Sequence, residues 1–288
     1  MTSPPRTKPS TEGIGVHSGI SRTTEKEAAT AASGEGEVAA FRLVGLHKTF
    51  GEHTAVDHAD LTVAPGSFYG LVGPNGAGKT TMLSMAVGLQ RPDEGRASVH
   101  GVDVWKEPLR ARRLMGVLPD GLAMPERLTG RELLTYLGQL HGLDAAEAAQ
   151  RTGELLAVME LDGPAERTLV VDYSTGMRKK IGLATALLHG PKLLVLDEPF
   201  EAVDPVSAAT IKQILKRFVA GGGSVLISSH VMALVEQLCD TVGVMAKGRV
   251  VAAGPLDEVR GDRSLEETFV DLVGVEIGGG EGLSWLVS

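Results

Sequence analysis

Gly73-Pro74-Asn75-Gly76-Ala77-Gly78-Lys79-Thr80, followed by Thr81, is the stretch on which the reading of this chain turns. It fits G-x-x-x-x-G-K-[ST], and its setting agrees with its letters. The apolar run Phe68 to Val72 before it predicts a strand, and a helix is expected from about Lys79 through Leu89. Glycines let backbone N–H groups converge on phosphate oxygens, and a helix N-terminus adds positive potential. Lys79 can then reach the β- and γ-phosphates of a nucleotide, and the Thr80 hydroxyl can ligate Mg²⁺. An ordinary glycine-rich turn needs neither flanking element.

Leu193-Leu194-Val195-Leu196-Asp197-Glu198 supplies the second half of such a site. An apolar strand ending in an acid places a carboxylate near the phosphate loop, where Asp197 can orient the shell of Mg²⁺. Glu198, one residue on, can polarise an attacking water. These two stretches alone also fit a kinase or a GTPase.

Outward from them, Phe41 to Leu46, Ala59 to Val63, Val99 to Val104 (with a turn at Gly101), Met115 to Leu118 and Val225 to Ser228 read as further strands. Between about Asp120 and Lys180 the pattern turns helical, over Thr129 to Leu140 and Asp144 to Met159. Asp144 with Glu147 predicts a capping box at the second of these. Strands separated by helices imply a largely parallel sheet with the helical stretch inserted. Residues 1 to about 40 are poor in apolar side chains and rich in Ser, Thr, Gly, Ala and Glu. Burial there cannot offset the entropy of ordering, so a disordered tail is expected.

The chain has 288 residues, 43% hydrophobic, enough for one large α/β domain. Its formal charge of −8 argues against bulk nucleic-acid binding, which needs a basic field. The lone Cys239 allows no disulfide framework and reads as a buried small hydrophobe. There is no signal-peptide pattern, and no apolar run approaches the ~18–20 residues that cross a bilayer. A reducing, cytoplasmic setting follows, with any membrane role exercised through a partner.

Tyr173-Ser174-Thr175-Gly176-Met177 separates the classes. It resembles the Leu-Ser-Gly-Gly-Gln signature of ABC ATPases, and Arg178-Lys179-Lys180 and an apolar helix follow it, as in that family. The resemblance runs from about Phe41 to Gly274, with all motifs in the family's order. It implies an α/β P-loop NTPase fold with a mostly parallel sheet core, an N-terminal antiparallel β region and an α-helical subdomain inserted at about 120–182. Domain limits are then 1–40 tail, 41–274 ATPase domain and 275–288 C-terminal tail. The resemblance further implies that Phe50 stacks on adenine and that residues 73–81 (Gly73, Pro74, Asn75, Gly76, Ala77, Gly78, Lys79, Thr80, Thr81) bind the nucleotide. Glu198 and His230 would be catalytic, with His230 contacting the γ-phosphate, and Asp204 would lie at a dimer interface. Ser174, Thr175, Gly176 and Met177 would complete the site of a second ATPase subunit. ATP and Mg²⁺ are the implied cofactors.

Departures from the family pattern include Thr175 for its first signature Gly, Met177 for Gln, and Asp120 where most members carry the Q-loop glutamine. Asp120 remains an oxygen donor and is a candidate Mg²⁺ ligand with Thr80 and Asp197. Arg110, Arg112 and Arg113 read as a solvated helical face. Arg178, Lys179 and Lys180 fit either a solvated face or support for a phosphate contact. The stretches Gly116 to Leu134 and Ser264 to Phe269 are similar to ATPase subunits of bacterial two-component exporters. That implies a separate multi-span permease, location at the inner face of the membrane, and a drug, antibiotic or lipid-like cargo. The alternatives are a P-loop kinase and a soluble ABC-type regulator.

Overall fold

The computed structural model describes residues 38–273. The expected tails lie outside these residues, except that Ala40 is buried and its N–H bonds to Val63 O at 3.0 Å. No helix among the described residues is long and apolar enough to cross a membrane.

β1 (Phe41–Phe50) and β2 (His53–Val63) form a long antiparallel hairpin. β3 (Phe68–Val72) is buried throughout and runs into the glycine-rich loop and α1 (Lys79–Ala86). This helix stops before the expected Leu89, because the chain turns at Gly88 with φ 81°. β4 (Glu94–Val99) and β5 (Val102–Asp103) pair antiparallel, so the strand expected over Val99 to Val104 divides at Gly101. α2 (Pro108–Leu114) carries Arg110, Arg112 and Arg113 exposed, and β6 (Met115–Leu118) follows.

Four α-helices come between β6 and β7 (Leu193–Leu196): α3 (Gly130–Leu140), α4 (Ala145–Val158), the short α5 (Pro164–Arg167) and α6 (Thr175–Leu187). The complete capping box belongs to α3, where Thr129 and Glu132 bond reciprocally. At α4 only half of the expected box forms. Asp144 accepts from Glu147 N at 2.8 Å, but the Glu147 carboxylate turns to Arg151 at 2.6 Å. A charge-assisted bond one turn along outcompetes the cap.

The chain closes with α7 (Pro205–Ala220), β8 (Ser224–Ser229), α8 (Met232–Leu238), β9 (Thr241–Ala246), β10 (Arg249–Pro255), α9 (Leu256–Arg260) and α10 (Leu265–Val273). β9 and β10 go beyond the expected elements. A six-residue apolar run has no period that separates strand from helix.

The strands make two sheets. One is antiparallel, in the order β2-β1-β4-β5; the other runs β10-β9-β3-β8-β7-β6. From β9 to β6 every pairing is parallel, and only β10 reverses. Alternation along the parallel strands divides the apolar side chains between two cores. Phe68, Val72, Leu194, Leu196, Val225 and Ile227 face one that also takes in Leu133, Leu156 and Ile181 from the inserted helices. Tyr69, Leu71, Leu193, Val195 and Leu226 face the other, shared with α1 and the antiparallel sheet. Each such large side chain, fully buried, stabilises by about 1.5–3 kcal/mol relative to exposure. Cys239 is buried as expected, and burial pushes its thiol pKa up.

The hairpin is tied to the rest at one irregularity. Pairing slips between Leu46↔Ala59 and Lys48↔Val56, so Asp57 and His58 both oppose His47. Asp57 Oδ2 accepts from Arg249 Nε at 2.7 Å, and His58 Nδ1 lies 2.8 Å from Oδ1. These two bonds, the His58 one foremost, hold the Asp57 carboxyl below the usual range. The ligand atoms of His47, Asp57 and His58 lie within 4.8 Å of one another, but the guanidinium already neutralises the carboxylate. The network is therefore an anchor from β2 to β10. Asp57 N reaches Gly248 O at 2.8 Å, and Gly248 N reaches Ala77 O at 2.9 Å, so the anchor also braces the phosphate loop.

Candidate nucleotide site

Parallel strands in open α/β sheets present their ligands at the carboxyl ends, and the candidate residues cluster there. The loop of Gly73 leaves β3, Asp120 follows β6, Asp197 and Glu198 follow β7, and His230 follows β8. Register keeps these ends level, with Val72 opposite Ser229, Leu196 opposite Ile227 and Leu118 opposite Leu196.

The loop is shaped by close backbone approach. Gly78 caps α1 with φ 102°, and a Cβ there would come within 2.3 Å of Ala55 O. A Cβ on Gly73 would meet Met245 O at 2.3 Å. Only glycine fits either place. Lys79 is 6% exposed, with Nζ donating to Gly73 O at 2.7 Å and lying 3.5 Å from Glu198 Oε1. A buried ammonium needs such oxygens, so the cation is held at the loop rather than free to wander.

Beside the loop lies a cavity of about 460 Å³, open to solvent. Its lining includes Phe50, Pro74 to Thr81, Asp120, Glu198 and His230, together with His53, Ala55 and Glu201. Phe50 is 47% exposed, which fits a stacking platform better than a core aromatic; the Lys48 ammonium sits 5.6 Å from its ring centroid.

Glu198 is held at each polar atom. Its N–H donates to Ser228 Oγ at 2.9 Å and its carbonyl accepts from Lys179 Nζ at 2.8 Å. Its carboxylate lies 3.0 Å from His230 Nδ1 and 3.5 Å from Lys79. Its φ of 45° is uncommon for a residue with a Cβ. Such conformations persist only where the surroundings over-determine them.

Asp197 is 4% exposed and does not line the cavity; the Ser228 hydroxyl donates to its Oδ1. Asp120 is exposed, accepts from Gly121 N at 2.9 Å and stands 3.9 Å from Lys179 Nζ. The candidate metal donors are thus the Thr80 hydroxyl and two carboxylates. An all-oxygen set of this kind fits a hard cation such as Mg²⁺.

Ser174, Thr175, Gly176 and Met177 do not line the cavity. Ser174 is exposed and caps α6, accepting from Met177 N at 3.2 Å. Asp204 caps α7 through Val206 N and Ser207 N. The basic residues after Met177 do not form a solvated face; each is bonded within the chain. Arg178 donates to Tyr173 O and Val171 O, Lys179 to Glu198 O, and Lys180 to Glu160.

Sequence reasoning did not single out Ser228, Lys179, His53 or Ala55. The polar end of the otherwise apolar β8 was a legible signal for Ser228. Nothing in the pattern distinguishes Lys179 from its basic neighbours.

Comparison with known proteins agrees with this geometry. The family profile described as "ABC transporter" matches residues 56–201. The daunorubicin resistance ATP-binding protein DrrA3 of Streptomyces coeruleorubidus is 39% identical over 218 residues, covering 76% of this chain and 69% of that protein. The Nod factor export ATP-binding protein I of Cupriavidus metallidurans is 36% identical over 221 residues, covering 77% of this chain and 73% of its own length. Among solved structures, an ATP-binding subunit of an ABC transporter superposes with a TM-score of 0.75 at 30% identity, covering 81% of this chain and 98% of that one. With its phosphate loop, its acidic strand end and its inserted helices in this order, the chain belongs to the ABC transporter family, as an ATP-binding and ATP-hydrolysing member.

Proposed function

We propose that this chain is the ATPase subunit of an exporter and drives a separate multi-span permease by cycles of ATP-dependent pairing with a second copy. The observation that carries this reading is the division of the site. Lys79, Glu198 and His230 meet at one cavity, whereas Ser174 is exposed and does not line it. A site lacking its signature within one chain is completed by another chain, and nucleotide then holds the two together. The exporter direction rests on the relatives, whose names are those of daunorubicin resistance and Nod factor export proteins.

In this reading Phe50 stacks on adenine, and residues 73–81 with Lys79 bind the phosphates. Glu198 takes the proton of the attacking water, and His230, bonded to Glu198, orients it toward the γ-phosphate. Thr80, Asp197 and Asp120 would hold Mg²⁺, which when bound neutralises charge on the phosphate oxygens. Asp204 lies toward the second copy. A permease partner would keep the chain at the cytoplasmic face of the membrane, and a drug, antibiotic or lipid-like cargo would belong to that permease.

Glu198→Gln tests the reading. It removes the base while preserving shape, so the variant should bind ATP, hydrolyse it at least about a hundredfold more slowly, and accumulate as a dimer. Gel filtration with ATP and Mg²⁺ reads the second effect. A monomer turning over at the unmutated rate would reject it. Co-purification of the dimer with a multi-span membrane protein tests the partner.

A further inference from the structure

We propose that Lys179 is a positioning residue for ATP hydrolysis, holding the carbonyl of Glu198 from helix α6 and so linking the signature helix to the orientation of that carboxylate. The proposal rests on the assignment of Glu198 as the base.

The argument starts from the strain at Glu198. A left-handed backbone at a residue with a Cβ must be held in place by its neighbours. Four of its five polar anchors belong to the sheet and its loops: Ser228 and His230 at the end of β8, Lys79 after β3, and the Glu201 N–H, which also reaches the Glu198 carbonyl, at 3.2 Å. The fifth, Lys179 Nζ at the shorter distance of 2.8 Å from that carbonyl, comes from the second turn of α6. It is the one anchor among the described residues that the inserted helices supply.

Lys179 is itself well held. Its side chain is 15% exposed, and Asp120 Oδ1 at 3.9 Å is the carboxylate within ion-pair reach. Asp120 follows β6, where the chain enters the insertion; Lys179 sits on the helix by which it returns. The Asp120 carboxylate, Lys179 ammonium and Glu198 carbonyl thus join both connections of the insertion to the base. A shift of α6, whose first residues follow the exposed Ser174, pulls on the Glu198 peptide plane and re-aims the side chain. This also gives Asp120 a role that a glutamine could fill less well, since an acid pairs with the ammonium.

Steady-state hydrolysis by the full chain tests the proposal. In Lys179→Met, kcat should fall about tenfold or more with KM within about twofold, because misplacement of a catalytic group costs rate without costing nucleotide binding. Lys179→Arg, which keeps a cationic donor, should recover a substantial part of kcat. If Lys179→Met does not fold, as judged by binding of a fluorescent ATP analogue, Lys179→Gln is held to the same criterion. A kcat within twofold of the unmutated chain overturns the proposal, as does an equal loss in the methionine and arginine variants. Glu198→Gln separates the two failures. If that variant still turns over, the assignment of the base falls and the proposal with it. If it is inactive while Lys179→Met is unimpaired, only the positioning role falls.

Discussion

Gly176 lies hard against Asp204: a Cβ at position 176 would come within 2.7 Å of Asp204 Oδ2, 2.7 Å of Ser207 Oγ and 3.1 Å of Ser207 Cβ. The first turn of α6 and the cap of α7 are therefore docked, and the glycine is what lets them meet. Asp204 is committed here to Val206 N and Ser207 N, bonds that, led by Ser207 N–H, hold its carboxyl below the usual range.

Gly176→Ala should break this docking. Either Asp204 gives up its cap or α6 shifts, at a cost of about 1–2 kcal/mol. Urea denaturation should show a lower midpoint, and hydrolysis should fall by more than the unfolded fraction explains. Unchanged midpoint and rate would mean that the two helix starts slide apart freely.

Asp120 bears on Mg²⁺. A carboxylate a few ångströms from a triphosphate repels it by roughly 1–4 kcal/mol, depending on the effective dielectric. A cation recruited by the acid relieves that repulsion, so hydrolysis should depend steeply on Mg²⁺. Asp120→Gln should lower the Mg²⁺ concentration for half-maximal rate or flatten the curve. Lys179, 3.9 Å away, offsets part of the charge and keeps the expected change small. Superimposable curves for the two proteins would place Asp120 outside the metal's reach.

Acid should weaken the fold through His189. Burial, then the neighbouring His141, lowers its pKa from 6.5 to about 4. The two rings stack 4.2 Å apart, and His189 Nε2–H donates to Met115 O at 3.0 Å. The folded state thus resists a proton that the unfolded chain accepts. Stability is retained above about pH 6.5 and lost as pH falls from there towards 4. With solvent screening the loss is on the order of 1 kcal/mol. Melting curves of His189→Gln against the unmutated protein should converge at low pH; parallel curves throughout would remove His189 from the account.

Much of this was legible in the residues. The phosphate loop, the acidic strand end and the alternation of strands with helices announced a parallel sheet, and register then had to bring Gly73, Glu198 and His230 to one edge. What escaped was long-range and specific. The left-handed Glu198, the hydroxyl of Ser228 beneath it and the ammonium of Lys179 behind it depend on tertiary contacts between segments 19 to 31 residues apart. Local patterns carry no record of those. At α4 the miss was local instead: Arg151, one turn along the same helix, drew Glu147 from its cap.

β3 is paired on both edges, with β8 and β9, and every one of its residues is buried. Its amide hydrogens have no route to solvent short of separating the sheet, so they exchange only when the whole domain opens. The inserted helices have no such double clamp. Exchange protection should therefore grade outward from the floor of the phosphate loop to α3–α5, leaving a stiff cradle under the nucleotide and a softer lever beside it.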